Sequence, residues 1–292
     1  MTSSGAPATR SLPTFLGIGA PKAGTTWLTE LLTGHPDVAM SPHRKEIHYF
    51  DLHFDRGVDW YQHFFQVDPS RPPVAIGEFT PHYLYGEAVP ARVRTMPSID
   101  RFVLVLRNPV DRAFSHYRFR QRQDNDRASF AEFVERYPAA IDWGRYGRYL
   151  VPWFDEFNPE QLLVLVFEQA VQDPDGTRQR LADHLGLDAG RFPTELVGPT
   201  NEAFTPRSRH LYGAAVNRAR WLRRHNLDPV ITAAKRAGLV RLVKRSDGMG
   251  AGHALSEAER RQLWEHFEDD VLLTERVTGL DLALWRPPSG VA

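Results

Sequence analysis

The chain has 292 residues, 42% of them hydrophobic and 25% charged, with 36 basic side chains against 36 acidic ones. That is length enough for one large α/β domain with a sizeable core, and zero net charge removes any bulk attraction to nucleic acid or to an anionic membrane. There is no cysteine, which excludes disulfides, thiolate catalysis and cysteine-type zinc sites.

Residues 1–12 are rich in Ser, Ala, Thr and Pro and read as a disordered tail. They lack the apolar core of a secretory signal, and no run approaches the ~20 apolar residues of a membrane span. A cytoplasmic protein is expected. Only Lys22, Lys45, Lys235 and Lys244 are lysines. Such a bias fits a GC-rich bacterial genome and makes a lysine kept at a special position informative, because arginine does not replace it.

Residues 13–292 read as a single domain. A first apolar run covers 15–20, and a helical pattern over 25–33 stops at Gly34 and Pro36. A shorter strand candidate covers 74–79. The run 101–107 is a strand, and Pro109 opens a helix over 110–122. Tyr146, Leu150, Trp153 and Phe157 recur at helical spacing, with Pro152 expected to kink or delay that helix. The run 161–167 is another strand. Residues 201–252 are Arg-rich, broken by Pro206, Pro229 and several glycines, and read as a helical insert. Ser256 with Glu259 forms a capping box that opens a helix to about Val277, with Leu263, Phe267, Val271 and Leu272 as its apolar stripe. Near-continuous apolar runs separated by helices argue for buried strands in a parallel sheet. The expected fold class is α/β: a three-layer, P-loop-like domain with a central parallel sheet of about four or five strands flanked by helices.

The first strand runs into Pro21-Lys22-Ala23-Gly24-Thr25-Thr26-Trp27-Leu28 and then into a helix. A strand, a tight Gly-containing turn and a helix N-terminus form an anion site, since free backbone N–H groups and the helix dipole converge there. Lys22 adds a point charge, and Thr25 and Thr26 add hydroxyl donors. Gly19 and Gly24 satisfy the glycine spacing of an ATP-binding P-loop, but Thr25 stands where its lysine belongs. The lysine here precedes the second glycine by two residues.

This segment resembles the 5′-phosphosulfate loop of the sulfotransferases that use 3′-phosphoadenosine-5′-phosphosulfate (PAPS). Arg107-Asn108-Pro109-Val110-Asp111-Arg112-Ala113-Phe114-Ser115-His116-Tyr117 resembles the same family's 3′-phosphate signature. The resemblance runs from about Phe15 to Asp173. It implies that Lys22, Ala23, Gly24, Thr25, Thr26 and Trp27 hold the phosphosulfate, and that Arg107 and Ser115 grip the 3′-phosphate. Lys45-Glu46-Ile47-His48-Tyr49-Phe50 is similar to an element of the glycosaminoglycan (heparan sulfate) sulfotransferases and their bacterial relatives, which implies Glu46 as the general base. His48 is either an alternative base or the group that orients Glu46, and Lys45 either touches the transferring sulfonate or faces water. The implied reaction is in-line transfer of the sulfuryl group to a hydroxyl of a small-molecule, glycan or glycolipid acceptor, including secondary metabolites. Lys22 stabilises the leaving phosphate, Glu46 takes the acceptor proton, and neither a metal nor a nucleic acid is called for.

Two departures matter. Related enzymes often carry Glu-Lys-(Ser/Thr)-Pro where this chain has Glu78-Phe79-Thr80-Pro81, and the loss of that cation favours a weakly charged acceptor over a polyanion. Their late basic loop reads Asp247-Gly248-Met249-Gly250-Ala251-Gly252-His253 here, with Lys244 or Arg245 as substitutes for its charges. Trp60, Trp143, Tyr146 and Trp153 line an acceptor cleft or belong to the core. The competing readings are a P-loop nucleotide kinase or NTPase, and a non-catalytic protein that binds 3′,5′-bisphosphoadenosine (PAP).

Overall fold

The computed structural model describes residues 9–42, 44–124, 128–194, 204–206, 244–246 and 255–288, with residues 218, 222 and 230 besides. Its centre is a parallel sheet of five strands: β1 (Phe15–Gly19), β2 (Val38–Met40), β3 (Ala75–Phe79), β4 (Arg101–Leu106) and β5 (Leu162–Val166). The spatial order is β2-β3-β1-β4-β5. The apolar runs of β1, β4 and β5 follow from this placement, because strands covered by helices on both faces have no wet side to show. β3 is buried throughout. β2 went unforeseen, since its three residues, only partly buried, are too short for a period to register.

The β1–β3 register is locked by two rings that occupy the space of two absent side chains. Phe15 lies opposite Gly77, and Gly17 opposite Phe79. A Cβ on Gly77 would fall 2.5 Å from the Phe15 ring, and one on Gly17 would fall 2.1 Å from the ring of Phe79. Each ring thus depends on a glycine across from it.

The chain leaves β1 through helix α1 (Thr25–Gly34), builds β2 and β3 on one side, and then crosses to β4 on the other. The C-terminal end of β1 is therefore a switch point, where open α/β sheets form ligand crevices. Two short helices follow the expected sites of interest: α2 (Tyr49–Leu52) and α3 (Val89–Arg94). Helix α4 (Pro109–Asp124) opens where Pro109 predicts, with Asn108 Oδ1 accepting from the N–H groups of Val110 and Asp111 as its cap. Helix α5 (Tyr146–Glu156) runs through Pro152, held by the buried Leu150 and Trp153. Helices α6 (Phe167–Gln172) and α7 (Pro174–Leu185) follow β5.

Three expectations need correction. The tail is not disordered over all of 1–12: Thr9–Arg10 pairs antiparallel with Gln66–Val67, and Leu12 packs on the core. The capping box at Ser256 is present, but the single C-terminal helix is two, α8 (Glu257–Trp264) and α9 (Glu268–Thr278). They part because Phe267 is fully buried and its ring lies against Gly144, so the backbone tightens through i→i+3 bonds from His266 and Phe267. Within the span read as a helical insert, Phe204–Pro206 and Lys244–Ser246 form an antiparallel pair. The rest of that reading, apart from residues 218, 222 and 230, and the Gly-rich loop over 247–253 lie outside the described residues. Among the described residues no helix is long and apolar enough to cross a membrane.

The interlock of rings and glycines makes a direct prediction. Gly17→Ala should destabilise the fold by about 1–3 kcal/mol, the usual cost of overpacking, measured by urea unfolding. An unchanged midpoint would show that Phe79 yields without cost and does not set the register.

Candidate active site

At the end of β1 the backbone turns through two left-handed residues, Lys22 (φ 70°) and Gly24 (φ 99°). Gly24 is required twice over: its φ suits glycine, and a Cβ there would fall 2.6 Å from the Phe167 ring. The turn delivers α1, whose first helical hydrogen bond runs from Leu28 N–H to Gly24 O. The N–H groups of Thr25, Thr26 and Trp27 thus precede the ladder and face outward along the helix axis. Ala23 and Trp27 are buried, at 0% and 1% exposure, so from these two residues the loop offers backbone and not side chain. The Lys22 ammonium lies 3.1 Å from the centroid of the Phe119 ring on α4, a cation–π contact for which an arriving phosphate would compete.

The second signature meets the first from β4. Arg107 directly follows that strand and donates from Nη1 to Lys22 O at 3.4 Å, while Tyr146 OH donates to Arg107 O at 2.9 Å. The Arg107 guanidinium lies 4.8 Å from the Phe167 ring, and its buried Nε has no partner among the described residues. A buried donor without an acceptor is costly, so the residues present fit an incoming phosphate. Ser115 stands half-buried on the second turn of α4.

Glu46 reaches the same edge through Lys45, whose Nζ donates to Thr26 Oγ1 at 2.8 Å. Lys45 therefore neither faces water alone nor stands apart from the loop. Burial lowers its proton affinity, against the pull of Glu46 and Glu30. Glu46 Oε2 lies 3.5 Å from His48 Nε2, and His48 Nδ1 lies 2.8 Å from Asp51 Oδ2. Burial pushes the Glu46 carboxyl up, but the hydrogen bond from His48 and the charge of Lys45 outweigh it, so its pKa falls below the ordinary value. For His48 burial acts downward, and the two carboxylates override it and raise the pKa to about 9. At neutral pH His48 is thus an imidazolium between two carboxylates. With both ring nitrogens protonated it has no site for a further proton, whereas the ionised Glu46 beside it does.

Several participants escaped the sequence reading. His82 follows Thr80-Pro81 directly; its ring is 5.7 Å from that of His48 and 5.3 Å from that of Trp143, and burial keeps it neutral. Trp143 stacks on His116, whose pKa is pushed down to about 3 by burial and by Arg112 and Lys22. Of the four aromatics weighed for a cleft, Tyr146 and Trp153 are core, whereas Trp143 stands half-buried at the site and Trp60 half-buried beside Tyr49. Phe79, where the resemblance places a lysine, is fully buried over Gly17. Glu46, His48 and His82 each bring one ligand atom within 4.8 Å of the others, a set that scattered histidines did not foretell. A cation there must first displace the His48 proton.

A strand–loop–helix turn of the kind that receives anions is thus joined, through the Lys45–Thr26 bond, to the segment that carries the ionised Glu46, at the C-terminal ends of a parallel α/β sheet. A profile of the sulfotransferase domain matches residues 12–212, and the chain belongs to that family. Among its relatives is heparan sulfate glucosamine 3-O-sulfotransferase 3B1 of Mus musculus, 33% identical over 187 residues, covering 61% of this chain and 47% of the relative. The membrane-associated sulfotransferase kil1 of Dictyostelium discoideum is 38% identical over 109 residues, covering 37% of this chain and 23% of that protein. The chain spans about half the length, or less, of the curated relatives it matches. The crystal structure of a sulfotransferase from Alicyclobacillus acidocaldarius shares the fold with a TM-score of 0.67 and 23% identity, covering 94% of this chain and 99% of that one.

The raised pKa of His48 has a consequence for stability. Its folded value of about 9 exceeds the ordinary 6.5, so the stabilisation is complete below about pH 6.5 and lost as pH rises through about 9. A shift of this size corresponds to about 3 kcal/mol. Unfolding of the parent and of His48→Ala should differ most near pH 6 and converge above about pH 9. A gap that stays constant across that range would mean that His48 is not held as an imidazolium.

Proposed function

We propose that the protein transfers the sulfuryl group of PAPS to the hydroxyl of an acceptor, with Glu46 as general base and Lys22 at the leaving phosphate. The observation that carries this reading is the bond from Lys45 to Thr26, which joins the base-bearing segment to the anion loop. PAPS supplies a sulfuryl group on a phosphate that leaves as part of PAP. On the acceptor side, Glu46 takes the hydroxyl proton as the oxygen forms its bond to sulfur. On the other side, Lys22 and the α1 amides meet the negative charge that grows as the sulfur–oxygen bond to the phosphate breaks. Arg107 and Ser115 are assigned to the 3′-phosphate, where a guanidinium adds charge-assisted hydrogen bonds.

One of the relatives named above is a heparan sulfate glucosamine 3-O-sulfotransferase, and a hydroxyl-bearing glycan or small molecule is the acceptor class we assign here. Support for a weakly charged acceptor comes from the buried Phe79 and from the neutral His82 next to Glu46, with the rings of Trp143 and His116 beyond it. A cytoplasmic location and a bacterial source belong to the proposal on composition alone.

Nucleotide selectivity tests it. PAP at about 100 times its dissociation constant should stabilise the protein by about 2.7 kcal/mol, while ATP with magnesium does little. Arg107→Ala should lose most of the response to PAP and Ser115→Ala less of it. Equal stabilisation by ATP, or a need for magnesium, would favour a nucleotide kinase instead.

A further inference from the structure

Beneath the proposed base lies a carboxylate with no part in the chemistry so far. Glu78 lies next to the last residue of β3 at 0% exposure, and its oxygens accept from three hydroxyls and one amide. Tyr61 OH and Tyr83 OH donate to Oε1 at 2.8 and 2.7 Å; Thr80 Oγ1 and Ile47 N–H donate to Oε2 at 2.6 and 3.1 Å. The direction of these bonds is settled by what the hydroxyls accept. Thr80 Oγ1 takes the N–H groups of Ile47 and His48 at 3.0 and 3.4 Å, and Tyr83 OH takes those of Tyr49 and Phe50 at 2.8 and 3.5 Å. With their oxygens committed to backbone donors, both hydroxyls turn their protons to Glu78.

Four successive amides, from Ile47 to Phe50, thus point at one buried acid and its two hydroxyl partners. They can do so because His48 adopts a left-handed conformation, φ 59° and ψ 37°. That conformation is uncommon for a residue with a side chain, and it curls successive N–H groups into a concavity that receives an anion. Strain of this kind persists only where surrounding structure holds it. The residue so held lies two positions from Glu46, and its own imidazolium faces the Glu46 carboxylate.

We propose that Glu78 is the positioning residue of this site: through Thr80, Tyr83 and the Ile47 amide it holds residues 47–50 in the conformation that aims Glu46 at the acceptor. It touches no substrate. A glutamine at this position has one acceptor oxygen and two new N–H donors, so the hydroxyls of Thr80 and Tyr83 could not both keep their protons and their backbone partners. The inference rests on Glu46 being the base, and the test separates the two.

The experiment is a double-mutant cycle of Glu46→Gln and Glu78→Gln, read by turnover of PAPS with an alcohol acceptor and by thermal stabilisation with PAP. Glu78→Gln should lower turnover by about 10², the scale of a misplaced catalytic group, while the response to PAP is kept. The double variant should be no slower than Glu46→Gln alone, because a misaimed base and an absent base are the same loss. Full turnover in Glu78→Gln, effects that multiply in the double variant, or loss of the PAP response would overturn the inference. Full turnover in Glu46→Gln would overturn the base assignment beneath it. Should Glu78→Gln not fold, Tyr83→Phe replaces it in the cycle; it removes the hydroxyl that joins Glu78 to the Tyr49 and Phe50 amides and leaves the Thr80 and Ile47 bonds to Glu78 in place, with about a 10-fold loss and the same non-additivity expected.

Discussion

Both halves of the site hang from the register between β1 and β3. The anion loop continues β1, and the network that holds the base-bearing segment continues β3 through Glu78, Thr80 and Tyr83. Phe15 over Gly77 and Phe79 over Gly17 fix how these strands align, and Thr80 N–H donates to Gly17 O at 2.9 Å just beyond the last pair. A slip of one residue would invert every side chain on β3. It would turn Glu78 away from Ile47 and leave four amides of the Glu46 segment without their acceptors. The choice of glycine at 17 and 77 is therefore as much a part of the chemistry as the lysine in the loop.

The chain is neutral overall, and the charges of the candidate site gather at the C-terminal ends of inner strands of the sheet. Lys22, Lys45 and Arg107 gather at the ends of β1 and β4, linked by the Arg107–Lys22 and Lys45–Thr26 bonds. Glu46 is kept ionised in a partly buried position by the Nε2 side of His48, whose Nδ1 bonds Asp51, and by the charge of Lys45. Beyond this cluster the wall changes character: Trp143, Tyr85, His82 and the neutral His116 present rings in place of cations. This change of character is the basis for proposing an acceptor with an uncharged ring or sugar face.

The turn after β1 and the segment that opens α4 were legible because each is a contiguous string placed where a strand becomes a helix, and contiguity is what a linear reading detects. Four of the five sheet strands, the capping box at Ser256 and the start of α4 were legible for the same reason. What it missed was made by tertiary contact. His82 and Glu46 lie far apart in the chain and meet through the Glu78 network; Phe119 and Phe167 frame the loop from distant helices. Glu78 itself was visible as part of a familiar tetrapeptide, but its role depends on hydroxyls at Tyr61 and Tyr83 and on a left-handed His48, which no spacing encodes. The break between α8 and α9 failed for a related reason: the apolar stripe continues through Phe267, and only the pocket beside Gly144 shows that the ring needs the helix to stop.

The central claim is that an ionised Glu46 and the Lys22 loop act from opposite sides of a sulfuryl group. The most direct measurement is single-turnover transfer from sulfur-labelled PAPS to an alcohol acceptor in the presence of a metal chelator, with formation of PAP followed in the same reaction. The account predicts that label appears on the acceptor oxygen in step with PAP, undiminished by the chelator. Release of inorganic sulfate without labelled acceptor across a broad panel of hydroxyls, or transfer that requires a metal, would contradict it.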